Sequence, residues 1–598
     1  MANDDPMALA PKGPQSLSRR RILRVLSVLG LGTPLFGRAL VALAGDAPAV
    51  TTSMLQRAEW ISGLSFSDED RNLMLKGMNE MSADFAKLRH VNLDNSVAPA
   101  LLFSPESSGP SGGQASVPVA MGPVLPGRQA ISSRPRRDED LAFLPVGNLA
   151  ALLRNGSVSA EELTRLYLER LKKYDPVLHC VITLTEDLAL RQARRADQEL
   201  RRGRDRGPLH GIPWGAKDLL ALPGYPTTWG AAPYRHQRRP ETATVIRRLE
   251  EAGAVLLAKT SVGALAWGDV WFKAQTRNPW NTDQGSSGSS AGSASAAAGG
   301  LMPFALGTET LGSIVSPSTR CGATSLRPTF GRVSRHGAMA LAWSMDKIGP
   351  LSRCVEDCAL ILAAIAGADG LDPTAVDRPF HWPLGRDIRT VRVGFTPSLF
   401  KQDRTDGVKD AKVRADRAEW QQFDNETLSV LRALGLDLKP IHLPSGYPLN
   451  ALGVILSAEA AAAFDVLTRS GDDDKLVRQT ADAWPNVFRQ GQMIPAVEYI
   501  RANRVRSMVM AEMAEMMQSV DLYVSPTFAG SNLLLTNLTG HPQVVLPNGF
   551  RSSDGTPTSI TFTGRLYGES ELLAVAHAYQ QATPFHLRRP PLAPAPRS

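Results

Sequence analysis

One stretch of the chain, residues 285–300, consists entirely of Gly, Ser and Ala. A run of this composition usually forms a flexible linker. Here it leads directly into Leu301–Leu306, a short apolar run that predicts a buried strand, and a second glycine-containing turn follows in Leu306–Ile314. Small residues beside a buried strand let backbone approach backbone or a ligand closely. The stretch therefore predicts a site built from main chain and serine hydroxyls.

Composition and charge exclude few classes of protein. Of the 598 residues, 43% are hydrophobic and 21% are charged, which is ordinary for a globular protein with a large core. Residues 1–44 hold six Lys/Arg and two Asp, so this segment carries +4 of the formal net charge of +8. The remaining charge forms no clustered basic footprint, and we expect no nucleic-acid partner. With four cysteines and no Cys-x-x-Cys pair, we expect no disulfide scaffold, no metal and no cofactor.

The N-terminus has the pattern of a targeting segment. Ser18–Arg24 resembles a twin-arginine export signal. The mostly apolar Val25–Phe36 that follows is too short to span a bilayer comfortably, and Ala42–Ala44 offers a cleavage site of small residues. The alternatives are a basic amphipathic helix or an uncleaved anchor. We expect residues 1–44 to be a signal peptide, and the mature chain to be periplasmic or extracellular without stable membrane insertion.

Three further segments follow the predicted signal. Residues 45–103 predict a helical N-terminal extension, because Ser67 can cap a helix and apolar residues recur at helical spacing from Leu73 to Leu88. Residues 104–137 are rich in Ser, Gly and Pro and predict a linker. In residues 138–590, helices alternate with short apolar strands, a pattern typical of an α/β sheet covered on both faces.

Two motifs are candidates for chemistry, and each also has a non-catalytic interpretation. Gly288–Gly292 fits the Gly-x-Ser-x-Gly nucleophile elbow, but the polar, turn-rich Asn278–Gln284 precedes it where the elbow needs an apolar strand. Lys217 follows a largely apolar segment, where a lysine is costly unless it is neutral or paired. The alternative is that Lys217 reaches solvent or pairs with Asp218.

Together, these and later segments resemble the amidase signature family over roughly Leu141–Thr583. The motifs that carry the resemblance are, in chain order, His210–Asp218, Ala258–Thr260, Asn278–Trp280, the Gly/Ser/Ala run, Gly307–Ile314, Arg327–Ser334, Asp346–Pro350, Ser525–Thr527 and Asn537–Gly540. The resemblance implies an α/β catalytic domain with a single large mixed β-sheet and helices on both faces.

The resemblance also implies a catalytic triad. It places the base at Lys217, a bridging serine at Ser289 after a cis peptide bond, and the nucleophile at Ser313, with Gly288 and Ser290 in support. The implied oxyanion hole consists of the backbone N–H groups of Thr310, Leu311, Gly312 and Ser313. These roles are chemically sensible, because a serine hydroxyl needs a base to become nucleophilic, and a lysine becomes a base when burial lowers its pKa.

The chain departs from the family pattern near the implied nucleophile. The family often has Asp at Glu309, Gly at Leu311 and Arg at Val315. We expect Leu311 to restrict φ where backbone donors must turn inward, and Val315 to remove a supporting charge. Trp267 and Trp271 lie where the family has pocket-forming residues, although aromatic core packing is the alternative.

The expected function is hydrolysis of linear amides through an acyl-Ser313 intermediate, with a small-molecule amide as the partner. The first alternative is the A subunit of a tRNA-dependent amidotransferase, a glutaminase that makes glutamyl-tRNA(Gln) or aspartyl-tRNA(Asn) amidation possible. The export signal opposes it, and so does Phe488–Pro495, which replaces the family's glutamine-binding Gly-x-Glu-Val-x-x-Arg segment. The second alternative is a non-catalytic binding protein, opposed by retention of the triad. Substrate identity and oligomeric state stay open.

Overall fold

The computed structural model describes residues 49–91, 100–101 and 131–593. The predicted signal peptide, most of the predicted linker 104–137 and parts of the predicted extension 45–103 lie outside these ranges. The chain divides into two compact units, Met1–Asn79 and Glu80–Ser598. Among the described residues, every helix is too short or too polar to serve as a membrane span.

The N-terminal unit contains helix α1 (Thr52–Ser62) and the beginning of helix α2 (Asp68–His90). Ser67 caps α2 as predicted, since its Oγ accepts a hydrogen bond from the Asp70 N–H at 3.1 Å. Between the two helices, the Arg71 guanidinium donates to the Glu59 carboxylate at 2.8 Å. The predicted helix is therefore confirmed, and a buried ion pair holds it to α1.

The second unit alternates helices and strands. Its α-helices are α3 (Asp138–Ala142), α4 (Val146–Arg154), α5 (Ala160–Leu178), α6 (Glu186–Arg201), α7 (Thr244–Glu251), α8 (Ala291–Ala298), α9 (Val315–Cys321), α10 (Val355–Ile365), α11 (Pro397–Lys401), α12 (Ala411–Ala433), α13 (Val454–Ala463), α14 (Asp465–Arg469), α15 (Trp484–Gly491), α16 (Ala496–Met517), α17 (Asn532–Leu538) and α18 (Glu569–Gln581). Short 3-10 helices cover Ala232–Tyr234, Ala264–Ala266, Ile388–Thr390, Leu449–Gly453, Asp472–Lys475 and Phe585–Leu587.

The strands are β1 (Val181–Leu184), β2 (Pro213–Lys217), β3 (Val255–Thr260), β4 (Arg277–Asn278), β5 (Asn281–Gly285), β6 (Phe304–Glu309), β7 (Thr324–Arg327), β8 (Lys347–Ser352), β9 (Val393–Phe395), β10 (Leu438–Pro440), β11 (Leu522–Pro526), β12 (Gln543–Phe550) and β13 (Pro557–Gly564). An 11-stranded sheet has the order β1-β3-β2-β6-β8-β7-β12-β13-β11-β9-β10, and β4 pairs with β5 separately. β2 runs parallel to both β3 and β6, whereas β6 runs antiparallel to β8. The predicted large mixed sheet is confirmed.

The centre of the sheet is buried on both faces. Every residue of β2, β3, β6 and β8 is buried. Successive side chains of a strand point to opposite faces, so such strands need cover on each side. One large hydrophobic core joins them to side chains of α5, α6, α7, α10 and α18. The polar residues that end β2 and β6, Lys217 and Glu309, therefore lie fully buried within the fold.

The Gly/Ser/Ala run forms three structures in succession. Its first residue ends β5, residues 286–290 form a turn, and residues 291–298 form α8. A side chain at Gly292 would meet the Cys180 carbonyl oxygen at 2.1 Å, which explains the need for glycine there. The linker interpretation is wrong, because the run packs against the core.

Candidate active site

Lys217 lies at the carboxyl end of β2 and is fully buried. Its Nζ donates to Ser289 Oγ at 2.8 Å, to Ser290 Oγ at 3.0 Å and to Thr308 Oγ1 at 2.8 Å. Burial lowers the pKa of the Lys217 amine well below its usual value, while the carboxylates of Asp346 and Glu309 act in the opposite direction. The position thus favours a neutral amine surrounded by hydroxyl groups.

The neighbouring Asp218 does not pair with Lys217. Its carboxylate lies 2.6 Å from the Nζ of Lys259, a residue of β3, and both side chains are fully buried. Asp218 also accepts hydrogen bonds from the N–H and the hydroxyl of Thr228. The alternative that Lys217 pairs with Asp218 is therefore wrong, because Asp218 follows the end of β2 and its carboxylate is engaged by Lys259 and Thr228.

Ser289 and Ser290 lie in the turn before α8. The peptide bond between Gly288 and Ser289 is cis, where the resemblance places a cis bond. A Cβ atom at Gly288 would lie 1.8 Å from the carbonyl oxygen of Gly268, so only glycine fits. The Ser290 N–H donates to the Ser313 carbonyl oxygen at 3.1 Å, which brings the two serine-bearing turns together.

Thr308 joins Lys217 to the turn of Ser290 and was not singled out in the sequence. Its N–H donates to Ser290 Oγ at 3.1 Å, and its carbonyl oxygen accepts from the same hydroxyl at 3.1 Å. Because its own hydroxyl contacts Lys217, Thr308 fixes the position of the amine from the β6 side. Its place in the Gly307–Ile314 motif is the only signal that points to it.

Ser313 lies in the turn that connects β6 to α9. The left-handed residue of this turn is Gly312, with a φ of 86°, whereas the φ of Leu311 is not positive. The limit that Leu311 sets on φ therefore does not conflict with this turn, and the effect of Leu311 on activity stays a prediction. In the described part of the chain, the N–H groups of Leu311, Gly312 and Ser313 donate to no backbone carbonyl among the hydrogen bonds of turns, loops and caps. The turn thus presents free backbone donors beside the Ser313 hydroxyl.

The Glu309 carboxylate anchors this turn through hydrogen bonds, a role that was not predicted from the sequence. Its Oε2 accepts the N–H groups of Ile314 at 2.8 Å and Val315 at 2.9 Å. Its Oε1 accepts from Arg327 at 2.6 Å and from Asn537 at 2.9 Å. Burial by itself raises the pKa of Glu309, but Arg327, Lys347 and the Val315 N–H together outweigh it, and the pKa falls to about 2.

The fold therefore tolerates valine at position 315, where the family often has arginine. The Val315 side chain is buried, and its N–H is bound by Glu309, which supplies a charge on the opposite side of the turn. Thr310, at the start of the turn, donates its hydroxyl to the Asp346 carboxylate at 2.5 Å. Glu309 and Asp346 hold the turn from two directions.

The two tryptophans near the implied pocket pack within the protein. The Trp267 ring lies 5.1 Å from the Arg478 guanidinium, and the buried Trp271 ring meets Phe272 edge-on at 5.2 Å. Both rings have partners inside the fold, which favours aromatic packing over a substrate role. Gly268 and Asp269, which lie between the two tryptophans, reach the serine turn: the Gly268 carbonyl oxygen lies beside Gly288, and the Asp269 carboxylate accepts the Ser287 N–H at 3.0 Å.

The side chains of the site belong to Lys, Ser, Thr, Asp and Glu. Within residues 49–91, 100–101 and 131–593, no group of three or more His, Cys, Asp or Glu side chains is arranged to hold a metal ion. The four cysteines, Cys180, Cys321, Cys354 and Cys358, are buried and free. Burial raises the pKa of the Cys321 thiol, which makes it a weak nucleophile.

The fold and this site define a class of α/β proteins that includes solved amidase structures. The native peptide amidase from Stenotrophomonas maltophilia is similar with a TM-score of 0.64 and 29% identity, over 75% of this chain and 98% of that one. Residues 162–533 match the sequence model of the amidase family, more than half of the chain. The chain belongs to the amidase family, as the resemblance indicated.

The curated relatives carry a different name. The A subunit of the glutamyl-tRNA(Gln) amidotransferase from Chloroflexus aggregans is 35% identical over 500 residues, which cover 76% of this chain and 100% of the relative. The protein of the same name from Methylococcus capsulatus is 33% identical over 491 residues, covering 74% of this chain and 98% of the relative. The family and its action on carbon–nitrogen bonds are thus shown, and the relatives' names agree with the first alternative better than with a free amidase.

Proposed function

We propose that the protein hydrolyses amide bonds with Ser313 as nucleophile, Ser289 as proton relay and Lys217 as base. The observation that carries the proposal is the environment of Lys217. Its amine is fully buried, its pKa is lowered, and it donates to hydroxyl and carbonyl oxygens that carry no charge. A neutral amine in hydrogen-bond contact with Ser289 is suited to accept a proton.

In the proposed reaction, the Ser313 hydroxyl attacks the amide carbon while its proton passes through Ser289 to Lys217. The oxygen of the tetrahedral intermediate is held by the free N–H groups of the turn. The carbon–nitrogen bond then breaks, and the proton returns through Ser289 to the departing nitrogen. Water attacks the acyl-Ser313 ester by the same route, which releases the acid and restores the hydroxyl.

The test is a set of single variants assayed with a reactive primary amide and a fluorophosphonate probe. We expect Ser313→Ala to lose the covalent adduct, and both Ser313→Ala and Lys217→Ala to lose about 10⁴-fold or more in kcat. Ser289→Ala is expected to be severe but less complete, since a water molecule can replace its hydroxyl. Ser316→Ala, three residues beyond the nucleophile, is the matched control and should keep wild-type activity.

Because the base must be neutral, activity should rise with pH through the lowered pKa of Lys217 and then level off. Mass spectrometry of the probe-labelled protein identifies the modified serine. A Lys217→Ala variant with the turnover and pH profile of the wild type would show that another group is the base. Labelling at Ser290 in place of Ser313 would restore the nucleophile-elbow interpretation.

The substrate class separates two forms of this proposal. The first is a free amidase of linear amides. The residues of the segment Phe488–Pro495 support it, because Arg489 is engaged with Asp473 at 3.1 Å and with Asp474 at 2.8 Å. A guanidinium held by two carboxylates is poorly suited to bind the carboxylate of glutamine.

The second form is an amidotransferase A subunit that releases ammonia from glutamine. The relatives that bear this name support it, since they match over nearly their whole length. The comparison is kcat/KM of the purified chain for L-glutamine and for benzamide, propionamide and a C-terminal peptide amide. Preference for the simple amides supports the first form. Preference for glutamine would replace it with the second.

A further inference from the structure

A cavity of about 330 Å³ adjoins the candidate active site. Thr308 and Thr310 belong to its lining. Thr308 contacts Lys217, and Thr310 opens the turn that ends at Ser313. An amide whose carbonyl group is held at this turn therefore has space for a substituent on the Thr308 and Thr310 side.

The walls of this cavity are largely apolar. Buried apolar side chains among the lining residues are Leu219, Ala266, Met339, Leu341 and Ile348. Two further lining residues, Trp343 and Leu371, are large and apolar yet 49% and 50% exposed to solvent. An apolar group placed between them would remove its own surface and theirs from water, which is favourable.

The charged side chains of the lining are engaged by the fold. Asp346 accepts the Thr310 hydroxyl and the N–H groups of Leu341 and Ala342. Arg335 donates to Asp372 at 3.0 Å and to the Trp343 carbonyl oxygen at 2.6 Å. Lys347 donates to the Met345 carbonyl oxygen, and His336 is half-buried. A charged substituent would have to compete with these contacts, whereas an apolar one would not.

We propose that this cavity is a subsite for an apolar substituent of the amide substrate, an alkyl or aryl group of roughly six to ten carbon atoms. The inference rests on the proposed function, since it takes Ser313 as the point where the amide is held. It narrows the substrate class from amides in general to amides with an extended apolar group. It also makes Trp343 and Leu371 residues that determine specificity.

The kinetic test is a chain-length series of primary amides from acetamide to decanamide, with a second series of N-alkyl acetamides. In one of the two series, kcat/KM should rise up to about fourfold per CH2 group until the cavity is full. Ala340 also belongs to the lining. Ala340→Phe, which narrows the cavity, should abolish the rise. Trp343→Ala should reduce the rise several-fold.

Trp60→Ala is the matched control, because Trp60 is 87% exposed and belongs to the N-terminal unit. It should leave both series unchanged. The inference would be overturned if kcat/KM of the wild type did not change with chain length in either series. It would also be overturned if neither Ala340→Phe nor Trp343→Ala altered that dependence.

Binding to the Ser313→Ala variant separates the two proposals. Calorimetry should find that octanamide binds this variant at least tenfold tighter than acetamide, and that Ala340→Phe in the same background removes the difference. Equal binding of the two amides would overturn the subsite while leaving the nucleophile intact. Conversely, a Ser313→Ala variant that still turns over amides would overturn the proposed function, and the octanamide preference would still report on the cavity.

Discussion

At the scale of single residues, Gly312 governs the geometry of the nucleophile turn. Its φ of 86° lies in the region that favours glycine, and an added Cβ would lie 3.0 Å from Ser316 Oγ. We expect Gly312→Ala to displace the backbone donors and to reduce kcat by about 10²–10³, the effect of losing one oxyanion contact. Steady-state kinetics beside a thermal melt distinguishes this local loss from unfolding.

Leu311→Gly is the companion variant. Leu311 is 37% exposed and does not carry the left-handed conformation, so its side chain is not required by the turn. This variant should keep kcat within a few-fold of the wild type. If Leu311→Gly were the more damaging of the two changes, the turn would depend on residue 311 after all.

At this scale, the order of the motifs along the chain predicts Lys217, Ser289 and Ser313 as the site. The structure places Lys217 and Ser289 in direct contact, and the catalytic roles of the three residues stay a prediction. The partnership of Asp218 with Lys259 and the binding of residues 314 and 315 by Glu309 were not predicted. The first depends on the pairing of β2 with β3, which the sequence does not record directly, and the second depends on the conformation of the turn between β6 and α9.

At the scale of the elements, Glu309 links four of them. It ends β6, receives Arg327 from β7 and Asn537 from α17, and binds the first N–H groups of α9. Glu309→Gln leaves the buried Arg327 guanidinium without its counter-charge, so we expect the free energy of unfolding to fall by about 3–5 kcal/mol. Urea denaturation at pH 7 measures this loss.

The pH dependence of the same variant gives a second readout. The pKa of Glu309 lies at about 2 in the folded protein, below its ordinary value of 4.5. Its contribution to stability is therefore complete above pH 4.5 and declines as the pH falls toward 2. Glu309→Gln should flatten this acid dependence, whereas Glu251→Gln, in an exposed pair with Arg247, should change neither stability nor its pH profile appreciably. If the free energy of unfolding of Glu309→Gln fell at acid pH as it does in the wild type, the lowered pKa of Glu309 would be contradicted.

Elements were predicted best where a short apolar run is bounded by turn residues. The run Leu301–Leu306 predicts a buried strand, and β6 (Phe304–Glu309) begins within it. The first three turns of helix α12 (Ala411–Ala433) are largely exposed and lack an apolar stripe, so the apolar pattern of the sequence does not indicate them. Strands β12 and β13 were not predicted, although both are buried throughout.

At the scale of the whole molecule, we propose that the chain is exported and processed. Ser18–Arg24 and Ala42–Ala44 motivate the proposal, and both lie outside the described residues. We expect protein from the native host to begin near Gly45 and to be recovered outside the cytoplasm. N-terminal sequencing measures the first point, and fractionation measures the second.

The control is a chain in which Arg19 and Arg20 are both replaced by Lys, which should keep the charge but block twin-arginine export. Native protein that begins at Met1 or Ala2 and stays in the cytoplasm would contradict the proposal. That outcome would also strengthen the amidotransferase alternative.

The strand order has a consequence for any attempt to shorten the gene. The family match ends at residue 533, yet β12 and β13 follow it and lie between β7 and β11 in the middle of the sheet. A chain that stopped there would divide the sheet into parts of six and three strands, each with an unpaired edge, at β7 and β11, that invites aggregation. The portion of sequence that identifies the family is therefore shorter than the portion that can fold, and a soluble fragment has to continue past Gly564.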